Sequence, residues 1–368
     1  MRTRISSSQL ENYIHNILRR NEEIKLPRDV SYKIAKLSKI GGGLSSVIYT
    51  FTLIYYKDSE LKEIEFVLKV YRGNEKVKCM RESEILRALK SKNFPVPRVY
   101  AAETSNKFLG RPFILMEKVK GKPMGKYLRQ LPHEKRFSII KRFAEMLVFL
   151  HSLKWRDLKL SHLRKPIDEY DYAKFQAASM ETLQKNLNVK LASNQIVNWV
   201  QHNASAHPCY HYSIIHGDMH LDNFLITKDG KIVSIDWEYP EIGDPLKDVA
   251  LAYQNLLFAF GARRQTEGKD IAEFFIREYA KNSKRKLDIS KLRFYMISSA
   301  SVEAICYRFN CKQALNPLFV FQNLGIKYLL AFPLLSWYFW WRSKILQRLI
   351  MEELKRYNLS IGGFIHEE

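Results

Sequence analysis

The sequence predicts an α+β protein of two domains, a small strand-rich one followed by a larger, mainly helical one. Short apolar segments typical of strands dominate residues 34–119, whereas an amphipathic helical pattern fills residues 137–153. The chain has 368 residues, 46% of them hydrophobic, which exceeds the length at which a single core is usual. We expect a helical segment at residues 1–28, a first domain at 29–120 and a second at 121–368.

The amino terminus is predicted to form a short helix packed on the first domain. Ser8 and Glu11 have the spacing of a capping box, and apolar side chains recur with helical period from Leu10 to Leu18. Because Arg2 and Arg4 precede polar serines, with no continuous apolar stretch, we expect no signal peptide.

The pattern of residues 34–55 predicts a strand, a glycine turn and a second strand. The turn contains Gly41, Gly42, Gly43 and Ser45. Glycines allow backbone amides to approach phosphate oxygens closely, so these four residues are candidates for binding phosphate. An ordinary hairpin turn would have the same appearance, and this alternative stays open.

Lys69 lies among apolar residues in the segment EFVLKVY, residues 65–71. An unpaired buried ammonium is unfavourable, so this lysine needs a counter-charge. We predict that Glu82, on a helix whose apolar face includes Ile85, Leu86 and Leu89, provides it. Glu84 is the nearest rival, and a solvated helix face is the alternative for both acids.

The segment at residues 216–250 contains three polar groups in the order that metal-assisted phosphoryl transfer requires. Asp218 can accept a hydroxyl proton, Asn223 can hold a metal ion and Asp236 can bridge the metal to phosphates. Asp229-Gly230 predicts a hairpin between the last two, which would bring them to one metal. Oxygen ligands of this kind suit Mg²⁺.

This segment resembles the aminoglycoside phosphotransferase and choline kinase superfamily, which has a protein-kinase-like fold with a small β-rich lobe and a larger helical lobe. The motifs HGDxHxxN, IDWE and GDPxxDxA of that superfamily are matched by His216, Gly217, Asp218, His220 and Asn223, by Ile235, Asp236, Trp237 and Glu238, and by Gly243, Asp244, Pro245, Asp248 and Ala250. One departure is Leu221-Asp222, where the family usually has Pro-Gly, so the shape of the loop differs from the pattern.

The resemblance implies roles for individual residues. Asp218 would be the catalytic base, Asn223 and Asp236 would bind the metal, and Asp248 would brace the catalytic loop through its backbone. Glu238 would face either the metal or the acceptor.

The resemblance also implies a nucleotide donor, ATP or GTP, together with Mg²⁺. Backbone groups from Glu117 to Val119 would contact the purine, which leaves no side-chain signature to separate the two nucleotides. His151, in the family helix that ends in LHxL, is expected to be a core or capping residue.

Charge and cysteine content bear on partners and compartment. A net charge of +22 attracts anions and disfavours a polycationic acceptor such as an aminoglycoside, although a local acidic pocket would override it. Nucleic acid would suit the charge, yet no recognition motif is present. The four cysteines have no metal-ligand spacing and favour a reducing, cytoplasmic location.

Residues 328–341 are apolar and aromatic, and basic residues follow up to residue 356. The segment is too short to span a bilayer and is interrupted by Pro333. Tryptophan, tyrosine and basic residues together suit peripheral contact with a membrane surface, whereas packing on the second domain is the alternative.

The predicted function is Mg²⁺-dependent transfer of a nucleotide γ-phosphoryl group to the hydroxyl of a small-molecule acceptor, anionic or lipid-linked. Three alternatives stay open: a protein kinase, a membrane-associated lipid or lipid-linked alcohol kinase, and a non-catalytic nucleotide-binding module. A protein kinase is disfavoured because HGD replaces HRD and IDWE replaces DFG.

Overall fold

A computed structural model describes residues 6–18, 30–42, 45–73, 75–105, 107–188, 194–260, 265–315, 340–346, 348, 350–352 and 355. Gly43, most of the segment at 328–341 and parts of the segment at 1–28 lie outside these residues.

The described residues form ten strands in antiparallel sheets. These are β1 Lys33–Gly42, β2 Ser46–Lys57, β3 Glu60–Tyr71, β4 Val99–Glu103, β5 Phe113–Glu117, β6 Gly121–Pro123, β7 Ser213–Ile215, β8 Phe224–Thr227, β9 Ile232–Ser234 and β10 Glu241–Gly243.

Nine α-helices are complete among the described residues. These are α1 Ser7–Leu18, α2 Lys76–Ser91, α3 Met124–Gln130, α4 His133–Ser152, α5 Asp171–Leu187, α6 Asn194–Asn203, α7 Pro245–Phe258, α8 Gln265–Ser283 and α9 Ile289–Ala314.

The chain divides into two compact units. The first comprises Met1–Gln130, Lys154–Leu163 and Asp222–Pro240, and the second comprises Leu131–Leu153, Arg164–Leu221 and Glu241–Glu368. The first unit recruits the late β8–β9 hairpin because β8 pairs with β6. The units are therefore discontinuous in sequence, whereas the predicted limits divide the chain once near residue 120; those limits stay a prediction.

The first unit contains a five-stranded sheet of order β1-β2-β3-β5-β4. Side chains alternate between the faces of a strand. Phe66 and Leu68 of β3 pack in one buried cluster with Leu10 and Tyr13 of α1. Lys69, the residue after Leu68, belongs to the other set of β3 side chains.

The cap of α1 differs from the prediction. The amide of Gln9 donates to the Ser6 hydroxyl at 3.2 Å, and the amide of Ser6 donates to the Gln9 side-chain oxygen at 3.1 Å. The capping box is thus Ser6/Gln9, two residues earlier than Ser8/Glu11. Glu11 instead accepts a hydrogen bond from the amide of Ile34, which ties α1 to β1.

The second unit is mainly helical. α4 and α7 both pack on α8, α9 packs on α5 and α7, and the two-stranded β7–β10 ladder lies beside α4 and α7. No helix among the described residues is long and apolar enough to cross a membrane.

The described part of the carboxyl-terminal segment is helical and packs on α9. Leu346 and Ile350 are buried, and the Ser343 hydroxyl donates to the carbonyl of Ala304 at 3.4 Å. Of residues 328–341 only Trp340 and Trp341 are described and both are exposed, so the packing of that segment stays a prediction.

Candidate active site

Lys69 is buried on β3 and bonded to Glu82 of α2. It pairs in register with Ile48 and Ile114, and its side chain is 2% exposed. The ammonium donates to both carboxylate oxygens of Glu82, at 2.9 and 2.8 Å. The predicted pairing is confirmed, and Glu84 is not the partner.

Tyr71 adds a donor to the same site that was not predicted from the sequence. Its hydroxyl also donates to Glu82. Because Tyr71 lies two residues after Lys69 on one strand, both side chains point to the same face. That spacing is a signal from which this residue could have been found.

Asp236 approaches the same ammonium from the loop after β9. Its carboxylate accepts from Lys69 at 2.6 Å while 41% of its side chain stays exposed. Its backbone has φ +62°, a left-handed conformation that strains a residue other than glycine. The amide of Ile235 donates to the carbonyl of Asn223 at 2.8 Å, so the backbones of the two predicted metal ligands are held together as expected from the hairpin.

Glu238 also contacts Lys69, at 2.9 Å. It accepts hydrogen bonds from the Ser45 hydroxyl at 2.7 and 2.9 Å and from the Ser46 hydroxyl at 3.3 Å. The sequence left open which way this carboxylate faces. The structure directs it towards Lys69 and the residues that follow the glycine turn.

Three carboxylates therefore surround one ammonium. Burial alone would lower the pKa of Lys69, but the charges of Glu82, Asp236 and Glu238 outweigh it and raise the pKa above its ordinary value. The ammonium is charged and faces three carboxyl groups, and burial raises the pKa of one of them, Glu82. Oxygens of the three carboxylates lie within 4.8 Å of one another, an all-oxygen set that suits Mg²⁺.

The loop that contains Asp218 is held by Asp248 in the second unit. The amides of His216 and Gly217 donate to the two oxygens of Asp248 at 2.7 and 3.0 Å. Burial would raise the pKa of Asp248, but hydrogen bonding from His151, the charges of His151 and His216, and the backbone bond from His216 hold it below its ordinary value. The predicted bracing through the backbone is confirmed.

His151 is buried, as expected for a core residue. Its ring nitrogens lie 2.8 Å from the Tyr279 hydroxyl and 3.5 Å from Asp248. Asp218 itself accepts from the amide of His220 at 3.2 Å, which fixes the turn after the predicted base.

The remaining predicted nucleotide-binding residues lie along strand ends of the first unit. Gly41 and Gly42 end β1 opposite Ile48 and Val47, and no atom would obstruct a Cβ at Gly41. The amide of Glu117 is bonded to the carbonyl of Arg98 at 2.9 Å, so that amide is already in use, and Val119 lies in the connection to β6.

The structure thus brings Lys69, Glu82 and Asp236 into direct contact and connects Ser45 to them through Glu238. Asp218 belongs to the second unit. The contact of Glu238 with Lys69 could not be assigned from spacing alone.

Part of the chain is similar in sequence to a protein of another name. In Mus musculus, acyl-CoA dehydrogenase family member 11 is 31% identical over 183 residues, which are 47% of this chain and 22% of that protein. Because the match spans only about a fifth of that relative, the activity of the whole relative does not transfer to this chain.

Solved structures resemble the chain over most of its length. A putative aminoglycoside phosphotransferase from Ralstonia eutropha JMP134 superposes with a TM-score of 0.63 at 17% identity, covering 91% of this chain and 98% of the other. LicA in complex with AMP superposes with a TM-score of 0.52 at 12% identity, covering 95% and 98%. At these identities the likeness establishes the fold.

The sequence profile of the phosphotransferase enzyme family, APH, matches residues 37–281. This range includes Lys69, Glu82, Asp218, Asn223 and Asp236. The chain belongs to the phosphotransferase enzyme family.

Proposed function

We propose that this chain transfers the γ-phosphoryl group of a nucleoside triphosphate to a hydroxyl of a small-molecule acceptor, with Mg²⁺. The observation that carries the proposal is the buried ammonium of Lys69 within 3 Å of the carboxylates of Glu82, Asp236 and Glu238. Several carboxyl groups around one ammonium favour the binding of a further cation.

The residues present fit a magnesium ion. Asp236, which is half-exposed, offers a carboxylate oxygen, and Asn223, bonded through its carbonyl to the amide of the preceding residue Ile235, would add a carboxamide oxygen. When bound, Mg²⁺ would neutralise charge on the transferred phosphoryl group. Glu82 orients Lys69, which would bind the phosphates of the donor, and Gly41, Gly42 and Ser45 would line that site together with backbone groups at Glu117 and Val119.

Asp218 would accept the proton of the attacking hydroxyl. A carboxylate in this role needs a fixed orientation towards the hydroxyl. Asp248 supplies the orientation, since it holds both amides that precede Asp218. A degenerate, non-catalytic module would not be expected to retain this bracing.

The acceptor is proposed to be anionic or lipid-linked. The support is the net charge of +22, which would draw such molecules to the protein and disfavour polycations. The structural relatives include proteins crystallised with aminoglycosides and a choline kinase, so members of this fold accept chemically different molecules.

Nucleotide binding tests the donor half of the proposal without knowledge of the acceptor. ATP and GTP are titrated into the wild-type chain and into Lys69→Ala, with and without Mg²⁺, by calorimetry. Lys62→Ala is the matched control, because Lys62 is an exposed lysine of the same strand that pairs only with Glu60 among the contacts of the described residues.

We expect Mg²⁺-dependent binding of at least one nucleotide by the wild type and Lys62→Ala, and a loss of at least about tenfold in Lys69→Ala. Equal binding by both variants would contradict the role of Lys69, and no binding by the wild type would refute the proposed donor.

We also propose peripheral contact with an anionic membrane through the exposed side chains of the described helical residues 340–346, 348, 350–352 and 355. Trp340 and Met351 are each 50% exposed, and Lys344, Arg348 and Lys355 are exposed at helical spacing along the same segment. Glu352 is the single acid among the described residues of the segment. Tryptophan with basic residues, opposite a face that is packed on the protein, suits an interfacial helix.

Vesicle flotation tests this contact. The charge-reversed variant replaces Lys344, Arg348 and Lys355 by Glu, and its control makes the same change at the exposed Lys281, Arg285 and Lys286. Each cation is worth about fivefold in partitioning to phosphatidylserine vesicles, so we expect a loss of at least about 100-fold in the first variant and a much smaller one in the control. Equal losses, or no flotation of the wild type, would contradict the proposal.

A further inference from the structure

Helix α2 presents two carboxylates, two residues apart, to different partners. Two residues correspond to about 200° around a helix axis, so Glu82 and Glu84 point in nearly opposite directions. Glu82 is 1% exposed and bonded to Lys69. Glu84 points to the segment Lys154–Leu163, which belongs to the same unit.

Glu84 is held by several donors from that segment. It accepts from the amide of Ser161 at 2.7 Å, from the Ser161 hydroxyl at 2.5 Å and from the amide of His162 at 3.0 Å. The His162 ring nitrogen Nδ1 lies 3.3 Å away. Burial raises the pKa of Glu84, but these hydrogen bonds hold it below its ordinary value. The Glu84 side chain is therefore an ionised carboxylate.

A second bond joins the same two elements. Arg81, one residue before Glu82, donates through Nε to the carbonyl of His162 at 3.3 Å. The segment is itself fixed in the first unit, because Leu158, Leu160 and Leu163 are buried. The segment therefore holds its bonding partners on α2 in a fixed position.

A rigid helix that is bonded on one side at Glu84 and on the other at Glu82 cannot rotate about its axis without breaking one set of bonds. Rotation is the motion that would withdraw Glu82 from Lys69. Glu84 has no contact with Lys69 among the described contacts and lies on the opposite side of the helix.

We propose that Glu84 is a positioning residue: its bonds to Ser161 and His162 fix the rotation of α2 and so keep Glu82 on Lys69. This inference rests on the proposed nucleotide-binding role of Lys69. Glu84 would control nucleotide affinity through Glu82 without touching the nucleotide, and a displacement of the segment at 154–163 would have the same effect as removing the carboxylate.

A double-mutant cycle on nucleotide binding tests the inference. The variants are Glu84→Ala, Glu82→Gln and the two combined, and Glu75→Ala is the matched control, since Glu75 is a partly buried acid at the start of the same helix, paired with Lys78. Thermal unfolding confirms that each variant is folded. Hydrogen exchange of the α2 amides is followed in parallel, because it reports the helix directly and does not depend on any ligand.

We expect Glu84→Ala to bind nucleotide about tenfold more weakly than the wild type. The double variant should bind less than about twofold more weakly than Glu82→Gln alone, because the effects of coupled residues are not additive. The α2 amides should exchange faster in Glu84→Ala, and Glu75→Ala should match the wild type in both measurements. Ser161→Ala, which removes one donor, should fall in between.

A tenfold loss in both backgrounds would show that Glu84 acts independently of Glu82 and would overturn the inference. So would wild-type affinity in Glu84→Ala. Absence of nucleotide binding by the wild-type chain would instead refute the proposed function, and the positioning role with it.

Discussion

Replacing Asp248 by Asn should loosen the loop that carries Asp218. Asp248 is completely buried, and its two oxygens accept from the amides of His216 and Gly217 at 2.7 and 3.0 Å. Asn keeps the shape but has one acceptor oxygen, so its amide group would face one of those two donors. A charge-assisted hydrogen bond is lost and a buried amide is left unsatisfied.

The expected loss in the free energy of unfolding is about 2–4 kcal/mol, from about 1.5–3 kcal/mol for a hydrogen bond to a charged group and a further penalty for the stranded amide. Urea unfolding measures it, with Asp222→Asn as the control, because Asp222 is an exposed acid near the end of the same loop. A loss below about 1 kcal/mol, or an equal loss in the control, would refute the bracing role.

The pH dependence gives a second check. The pKa of Asp248 is lowered in the folded state, so its contribution is fully present above the unfolded pKa, about 3.9, and disappears as the pH falls through the folded pKa. The difference in stability between wild type and Asp248→Asn should therefore shrink as the pH is lowered below about 4. A difference that persists in acid would contradict this origin.

Three further predictions follow from single contacts. Asp236→Asn should weaken Mg²⁺-dependent nucleotide binding at least about tenfold, measured by magnesium titration, and unchanged magnesium dependence would contradict its role as ligand. Burial lowers the pKa of His207 to about 4, so stability should fall between pH 6.5 and 4, by at most about 3 kcal/mol, and His207→Gln should flatten that part of the unfolding profile. A Cβ at Gly243 would lie 2.5 Å from the Tyr172 ring, so Gly243→Ala should cost about 1–3 kcal/mol in urea unfolding whereas Gly41→Ala, which meets open space, should not.

Local rules were sufficient for much of the site. Lys69 was placed opposite Glu82 because a cation inside an apolar strand needs a counter-charge from a neighbouring helix, and this contact is present at 2.8 Å. The Asp229-Gly230 turn was sufficient to predict the hairpin that brings Asn223 close to the residue before Asp236, since hairpin turns have a strong sequence signature.

Contacts between distant parts of the chain could not be predicted in this way. Glu84 is hydrogen-bonded to Ser161, which lies 77 residues later. Ser161 belongs to a segment of the first unit that is preceded and followed along the chain by residues of the second unit. Glu238 could have faced metal or acceptor, and only the tertiary structure directs it to Lys69 and Ser45. The cap of α1 was misplaced because Ser6 and Ser8 both have a partner at capping-box spacing, and the sequence does not decide between them.

The central claim is phosphoryl transfer from a nucleotide to a hydroxyl with Asp218 as the base. Its most direct test is ³¹P NMR of reactions that contain the wild-type chain, Mg²⁺, ATP or GTP, and in turn choline, ethanolamine, thiamine, sugars, aminoglycosides or lipid-linked alcohols. We predict a new phosphate ester with at least one acceptor, and none with Asp218→Ala, whose nucleotide affinity should equal that of the wild type. An ester formed at the wild-type rate by Asp218→Ala would contradict the account.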